Sequence, residues 1–438
     1  MMDALLHPTL PFQWYGLWAI TTPLCLTFIP PKPYRAYVSC SILFSILIKA
    51  QLFYEIDPSK ENASIALIFQ GVLFGLFFYT FNLFFLVEYP EFTDYRIGIE
   101  TLDDVRSLKQ GTWKKFKWAV ARTSISTITG HGWNWQIRDS KAVGKEKKEW
   151  LKSFIIHDLI IKYTIFDILF HLYLSTDYIK YDAWGPNNVK DLIFMHPQSQ
   201  LSPIKQLLLT VGSLYCVYFG IEMMYKIVVF INVYLLGTYE LHDYPEIFGS
   251  FNGAYTVKSL WGNVWHKLMY QLAVPQSQYL AGRDFKAKHL GKAPRFGNEM
   301  RNKYLMYLLV FVFTGIFHAT ATLNMPWNVG AGYNINAPFA EHLPRFISRC
   351  FYSFFFFPCQ FMLILVETFV IKCYKKYIGV RLPQGAVKVI GIAWIGLSEM
   401  YLLELYIDEM AKSGFKIGEL VVPNTPVHLL YEHYIEGR

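Results

Sequence analysis

An all-α, polytopic transmembrane bundle of about eight helices is the fold class this sequence predicts, and three observations predict it. Hydrophobic residues make up 53% of the 438-residue chain and charged residues only 17%, against about 25% charged in an ordinary soluble domain. The apolar residues are gathered into blocks of about 20, the length a helix needs to cross a bilayer core of about 30 Å. The loops between the blocks alternate in charge, as the two sides of a membrane require.

The blocks fall at 10–29, 36–54, 65–87, 154–174, 207–236, 305–323, 351–371 and 386–407. The first lacks the short basic-then-apolar pattern of a cleaved signal peptide and is expected to stay in the membrane. The fourth is the most polar, with His157, Asp158, Lys162, Asp167 and His171. It is expected to lie partly in the interface or to face a polar cavity. The fifth is about 30 residues long and must tilt, bend or extend beyond the bilayer.

With these spans, loops 30–35, 88–153, 237–304 and 372–385 carry net charges of +2, +4, +4 and +4, and loops 55–64, 175–206, 324–350 and 408–438 carry −2, 0, +1 and −2. The basic set falls on one face, which the positive-inside rule makes cytosolic, with both termini opposite. Asn62-Ala63-Ser64 is a glycosylation sequon in a loop on the non-cytosolic side, although close to the next span. The cysteines, Cys25, Cys40, Cys216, Cys350, Cys359 and Cys373, form no CxxC pair and read as small core hydrophobes.

The segment 106–152 holds 12 Lys/Arg and three Asp/Glu. Such a run suits first a loop attracted to anionic lipid, and as the alternative a dock for the phosphates of a polyanionic substrate such as coenzyme A. Nucleic acid is not expected, because the aromatics lie in apolar spans and do not interleave with a basic groove. Common soluble toolkits are missing from the sequence. It contains no GxGxxG, P-loop, HExxH, GxSxG or HxxxD pattern and no close cluster of metal ligands, so no metal is expected.

Two histidines stand out. His318 lies in "LVFVFTGIFHATATL", inside a predicted span with no charge near it in sequence. A neutral imidazole there can take a proton from an alcohol as a bond forms; it can equally be a histidine hydrogen-bonded to a neighbouring helix. Gly315, Ala319, Thr320 and Ala321 leave room for close backbone approach or for the wall of a tunnel. His266 ends "SLWGNVWH". On a helix Trp261 and Trp265 share a face at i, i+4, and Asn263 and His266 share another. An interfacial aromatic belt explains the tryptophans but not the two polar residues among them.

The stretch "DYPEIFGSFNGAYTVKSLWGNVWHKLMYQL" resembles the signature of the wax synthase-like branch of the membrane-bound O-acyltransferases, with Leu260, Trp261, Gly262, Trp265 and His266 falling on its Phe-Trp-Gly-Arg-x-Trp-His pattern. "FTGIFHATAT" resembles the family's intramembrane histidine element, and "FFFFPCQFMLILVETFVI" the aromatic, Gln- and Glu-containing span after it. "RTSISTITGHGWNWQIR" is similar to an Arg-Gly-x-Gly-Trp element of fungal members, with His131 interrupting it and Arg122 farther upstream. Asn263 stands where the family has Arg, Leu260 replaces Phe, and Lys267 replaces Gln.

The resemblance implies one integral membrane acyltransferase domain over 1–438, with an internal tunnel and with 237–323 holding the Trp-His element and the intramembrane histidine. It implies acyl transfer from acyl-CoA to an alcohol, with His318 as general base, His266 as its partner, and His266 or Asn263 as oxyanion donor. Trp261 and Trp265 are then expected to bind substrate, and Arg283, Lys286 and Lys288 the CoA phosphates. Similar fungal proteins imply acetyl-CoA, a hydroxylated terpenoid or meroterpenoid arriving through membrane lipid, and an endoplasmic reticulum location. The rival expectations are long-chain wax-ester or sterol-ester synthesis, a membrane transporter, and a scaffold without activity.

Overall fold

The structure is a computed structural model and describes residues 12–52, 75–87, 89–124, 130, 132–135, 146–174, 203–235, 237, 239–265, 267–282, 299–321 and 339–412. The described residues are almost entirely helical. They form no strand, and their only bridge pairs Arg96 with Trp133.

In chain order the helices are α1 (Phe12–Phe28), α2 (Tyr34–Leu52), α3 (Gly75–Leu86), α4 (Leu102–Arg106), α5 (Trp113–Thr123) and α6 (Lys147–Ser153). After α6 a π-helical stretch, Phe154–Lys162, leads into α7 (Tyr163–Leu174). Then come α8 (Pro203–Phe230), α9 (Val257–Ser259), α10 (Tyr270–Leu280), α11 (Glu299–Ala321), α12 (Phe339–Tyr377) and α13 (Gln384–Lys412). Helix is present at each of the predicted spans, but only three helical stretches among the described residues are long and apolar enough to cross a membrane: Thr210–Leu235, Asn302–Thr320 and Ser353–Tyr377. Helix α1 has 17 described residues, and α3 is described from Gly75 to Leu86, directly after residues 53–74, which lie outside the described residues. The fourth block is interrupted by charge.

That charge has partners. Asp158 and Lys162 sit one turn apart, as do Glu222 and Lys226 on α8, and the two pairs interlock. Lys162 Nζ lies 2.9 Å from Asp158 and 2.7 Å from Glu222, and Lys226 Nζ lies 2.7 Å from both carboxylates. Two acids and two bases thus close into a neutral ring between neighbouring helices, which is how ionisable side chains are tolerated at membrane depth.

The N-terminal half is held by a second buried network. Helices α1, α2 and α5 pack around a core that includes Trp18, Leu26, Leu43, Leu47 and Trp118. Beside it, Arg35 donates twice to Glu91, at 2.6 and 2.9 Å, and Lys115 Nζ lies 3.3 Å from the same carboxylate. Burial pushes the Glu91 carboxyl up, but the bonds and charge of Arg35 and the charge of Lys115 outweigh it and leave it below the usual carboxylate range. Arg122 bonds Asp94 at 2.6 Å and Tyr79 at 3.1 Å, and its guanidinium lies 4.4 Å from the Trp135 ring centroid. Asn134 ties the same turn to Thr93 and Tyr95. The early Gly-Trp-Asn-Trp element therefore clamps Arg122 onto the segment after α3. Of the basic run, Lys115 and Arg122 are buried in ion pairs, whereas Lys109, Lys114 and Lys117 are exposed.

Candidate functional site

The last three helices position the site. α12 packs against α11, α9 and α13, and α10 packs against α11. The contact of α11 with α12 is close because Gly315 has no side chain: a Cβ there would stand 2.6 Å from the Phe354 carbonyl oxygen. The small residue noted in sequence thus serves backbone approach. Gly315→Ala is expected to cost about 1–3 kcal/mol by overpacking, read as a lower melting temperature in detergent; an unchanged melting temperature would show that the two helices separate freely here.

His318 lies one turn beyond Thr314 on α11. Its Nδ1 sits 2.8 Å from the Thr314 carbonyl oxygen. A carbonyl only accepts, so Nδ1 carries the hydrogen, and in the neutral ring Nε2 carries the lone pair. The imidazole stacks on Phe357, with centroids 4.2 Å apart and planes inclined by 32°, and meets the edge of Phe317 at 5.2 Å.

The Trp element also packs on Phe357. Thr256 and Ser259 cap α9 reciprocally, and Glu367 of α12 accepts from the Val257 N–H at 2.7 Å. The helix then widens into a π turn, Leu260–Val264. Trp261 leans on Phe357 and Phe356 at 6.1 Å, Phe311 at 6.2 Å and Trp265 at 5.8 Å. Its Nε1 donates to Gln360 Oε1 at 3.0 Å, and Gln360 Nε2 donates to Glu399 Oε2 of α13 at 3.1 Å. Phe357, Gln360, Ile364 and Glu367 follow one another at steps of three and four, so one face of α12 meets His318, Trp261 and the start of α9.

The structure thus brings together His318 and Trp261 through Phe357, with Trp265 half-buried beside them and packed on Phe248 at 5.6 Å. It does not bring the Asn263 side chain into this cluster, because Asn263 is exposed. The helix assumed in reading Asn263 and His266 as one face does not run through Trp265. The helix stops at Val264, where Trp265 turns extended at ψ 157°, because Val264 O and Lys267 N are bonded back to Gly249 N and Ile247 O. Gly249 makes that return possible: a Cβ would stand 2.0 Å from the Asn263 carbonyl oxygen. Gly249→Ala is therefore expected to displace the Trp element, seen as faster hydrogen exchange over 257–265. Exchange equal to the wild type would deny this glycine its role.

His266, Arg283, Lys286 and Lys288 lie outside the described residues. Sequence reasoning did not single out Gln360, Glu367 or Glu399 as site residues. The available signal was polarity within apolar blocks, plain for Glu399 in "GIAWIGLSEMYLL".

The sequence pattern described as the Membrane bound O-acyl transferase family matches residues 244–333. This span runs from the Tyr244 turn through the Trp element to His318 and beyond. Among curated proteins, the chain is 26% identical over 207 residues to "Acetyltransferase ataH" of Aspergillus terreus, an alignment covering 44% of this chain and 63% of that protein. It is 19% identical to "O-Mevalon transferase yanI" of Aspergillus niger, over 79% of this chain and 75% of the relative. It is 23% identical to "O-Mevalon transferase macI" of Penicillium terrestre, over 69% and 67%. No solved structure matches the chain.

Proposed function

We propose, from the membrane O-acyltransferase match over 244–333 and the setting of His318 within it, that this protein transfers an acyl group from acyl-CoA to an alcohol. The observation that carries the reading is the imidazole of His318, fixed by Thr314 through Nδ1 and stacked on the residue that also supports the Trp element.

An alcohol is a weak nucleophile until its proton leaves, and in this reading Nε2 of His318 receives it. The alcohol oxygen bonds to the thioester carbonyl carbon as the O–H proton passes to Nε2. The carbonyl electrons collapse back from the tetrahedral oxyanion, the C–S bond breaks, and the imidazolium returns the proton to the departing CoA sulfur. Ester and free CoA result, with no covalent enzyme intermediate. An apolar setting suits the reaction, since water would otherwise compete for the thioester.

In this reading the donor is acetyl-CoA and the acceptor a hydroxylated terpenoid or meroterpenoid that enters laterally from membrane lipid, in keeping with fungal natural-product chemistry. The two substrates meet in an internal tunnel. His266 serves the oxyanion, Trp261 and Trp265 bind substrate, and Arg283, Lys286 and Lys288 hold the CoA phosphates at the cytosolic face of the endoplasmic reticulum. The same membrane would keep a lipid-dissolved product close to the next enzyme. Microsomes carrying the protein, given labelled acetyl-CoA or palmitoyl-CoA with a panel of hydroxylated terpenoids and long-chain alcohols, test this directly. Labelled acetate esters are the expected product. Palmitoyl esters alone would move the reading to wax or sterol esters, and flux of the alcohol without ester would favour transport.

A further inference from the structure

Trp261 is bounded by the rings of Trp265, Phe311, Phe356 and Phe357 at centroid distances of 5.8 to 6.2 Å. Its one polar atom, Nε1, can only donate. Bonding it to Gln360 Oε1 fixes which way that amide points and turns Gln360 Nε2 onto Glu399. Gln360 is 0% exposed and Glu399 1% exposed. Burying an amide and a carboxyl in apolar helices is costly, and apolar residues of similar volume would pack as well without that cost. What the polar chain supplies instead is orientation. Three separate elements fix one indole, and that indole backs Phe357, whose ring lies against His318.

We infer that Trp261 and Phe357, locked by Gln360 and Glu399, form the wall that sets acyl-chain length, admitting a two-carbon acyl group beside His318 and turning away longer ones. The inference rests on reading His318 as the general base. In that reading the alcohol oxygen is within hydrogen-bond reach of Nε2, and the thioester carbon is about 3–3.5 Å from that oxygen. The acyl carbons beyond the carbonyl therefore start within a few ångströms of the imidazole. On the Phe357 side that space is occupied by ring packed on ring. Trp261 and Phe357 are thus specificity residues, and Gln360 and Glu399 are positioning residues acting through them.

The test compares acetyl-CoA, butyryl-CoA and hexanoyl-CoA, with kcat and KM measured for each in microsomes. Trp261→Ala and Phe357→Ala are expected to raise the hexanoyl-to-acetyl ratio of kcat/KM at least tenfold, within the about 10–200-fold that misfit in an apolar pocket commands. Gln360→Leu and Glu399→Leu shift the ratio the same way. Glu399→Gln, whose amide oxygen accepts the same bond, keeps the wild-type ratio. A merely structural role would lower all chain lengths in parallel, and that result overturns the inference, as does Glu399→Gln behaving like Glu399→Leu. A wild type that prefers hexanoyl-CoA overturns it too, while leaving acyl transfer intact. If the wild type uses no acyl-CoA at all, the proposed function and the wall fall together. Hydrogen exchange over 257–265 then judges the lock alone: it rises in Gln360→Leu and Glu399→Leu but not in Glu399→Gln, and no difference among the three shows that there is no lock.

Discussion

Replacing His318 with alanine is expected to cut ester formation by about 10²–10⁴-fold, the usual contribution of a positioned general base. The loss is expected in kcat, because the proton moves only as the transition state forms. His318→Asn is the sharper variant. Its side-chain amide can still donate to the Thr314 carbonyl, which the native ring meets at 2.8 Å, yet it offers no basic nitrogen. Both variants are expected to fall equally, with unchanged membrane content and melting temperature. Ester formation by His318→Asn at more than a tenth of the wild-type rate would remove His318 from the role of base and return it to a helix-packing residue.

The largest stability effect is expected at Glu91. Removing it takes away the carboxylate that both Arg35 and Lys115 meet, respectively 1% and 3% exposed in their side chains. Breaking a buried ion pair from one side costs about 3–5 kcal/mol, most of it the uncompensated charge. Glu91→Ala is therefore expected to lower the melting temperature in detergent sharply, and Glu91→Ala combined with Arg35→Met and Lys115→Met to recover much of the loss. The direction of the Glu91 shift adds a pH dependence. A carboxyl held below its unfolded value of about 4.3 stabilises the fold at higher pH. That support disappears as pH drops through the folded-state value. A single Glu91→Ala variant as stable as wild type at neutral pH would contradict the network's importance.

Much of this was legible in the sequence, for reasons specific to particular residues. Helices stand at the predicted spans because block length and hydropathy are local properties. The weakness of the 154–174 block was readable from Asp158 and Lys162, but its resolution was not, because Glu222 and Lys226 lie more than 50 residues away inside an otherwise apolar helix. His318 and Trp261 stood out in the sequence by residue type and spacing. Gln360 was visible only as part of an aromatic span, and its tie to Glu399 spans 39 residues, beyond any local pattern. The end of the helix at Val264 was hidden for the same reason: hydrogen bonds to Ile247 and Gly249 terminate it, and helical spacing says nothing of them. The count of eight spans stays an expectation, since three helical stretches among the described residues have the length and apolarity that crossing demands.

The stripe Phe357–Gln360–Ile364–Glu367 makes α12 a keyed shaft, with each key cut for a different lock. Each inserted residue turns everything after it by roughly 100°. A single codon gained or lost between positions 357 and 367 would leave the helix intact and its hydropathy unchanged, yet Glu367 would face away from α9 while Phe357 still faced the histidine. Length variation in a lineage of such proteins is therefore expected to accumulate in the connecting loops and to be purged from these eleven positions, even where substitution is tolerated.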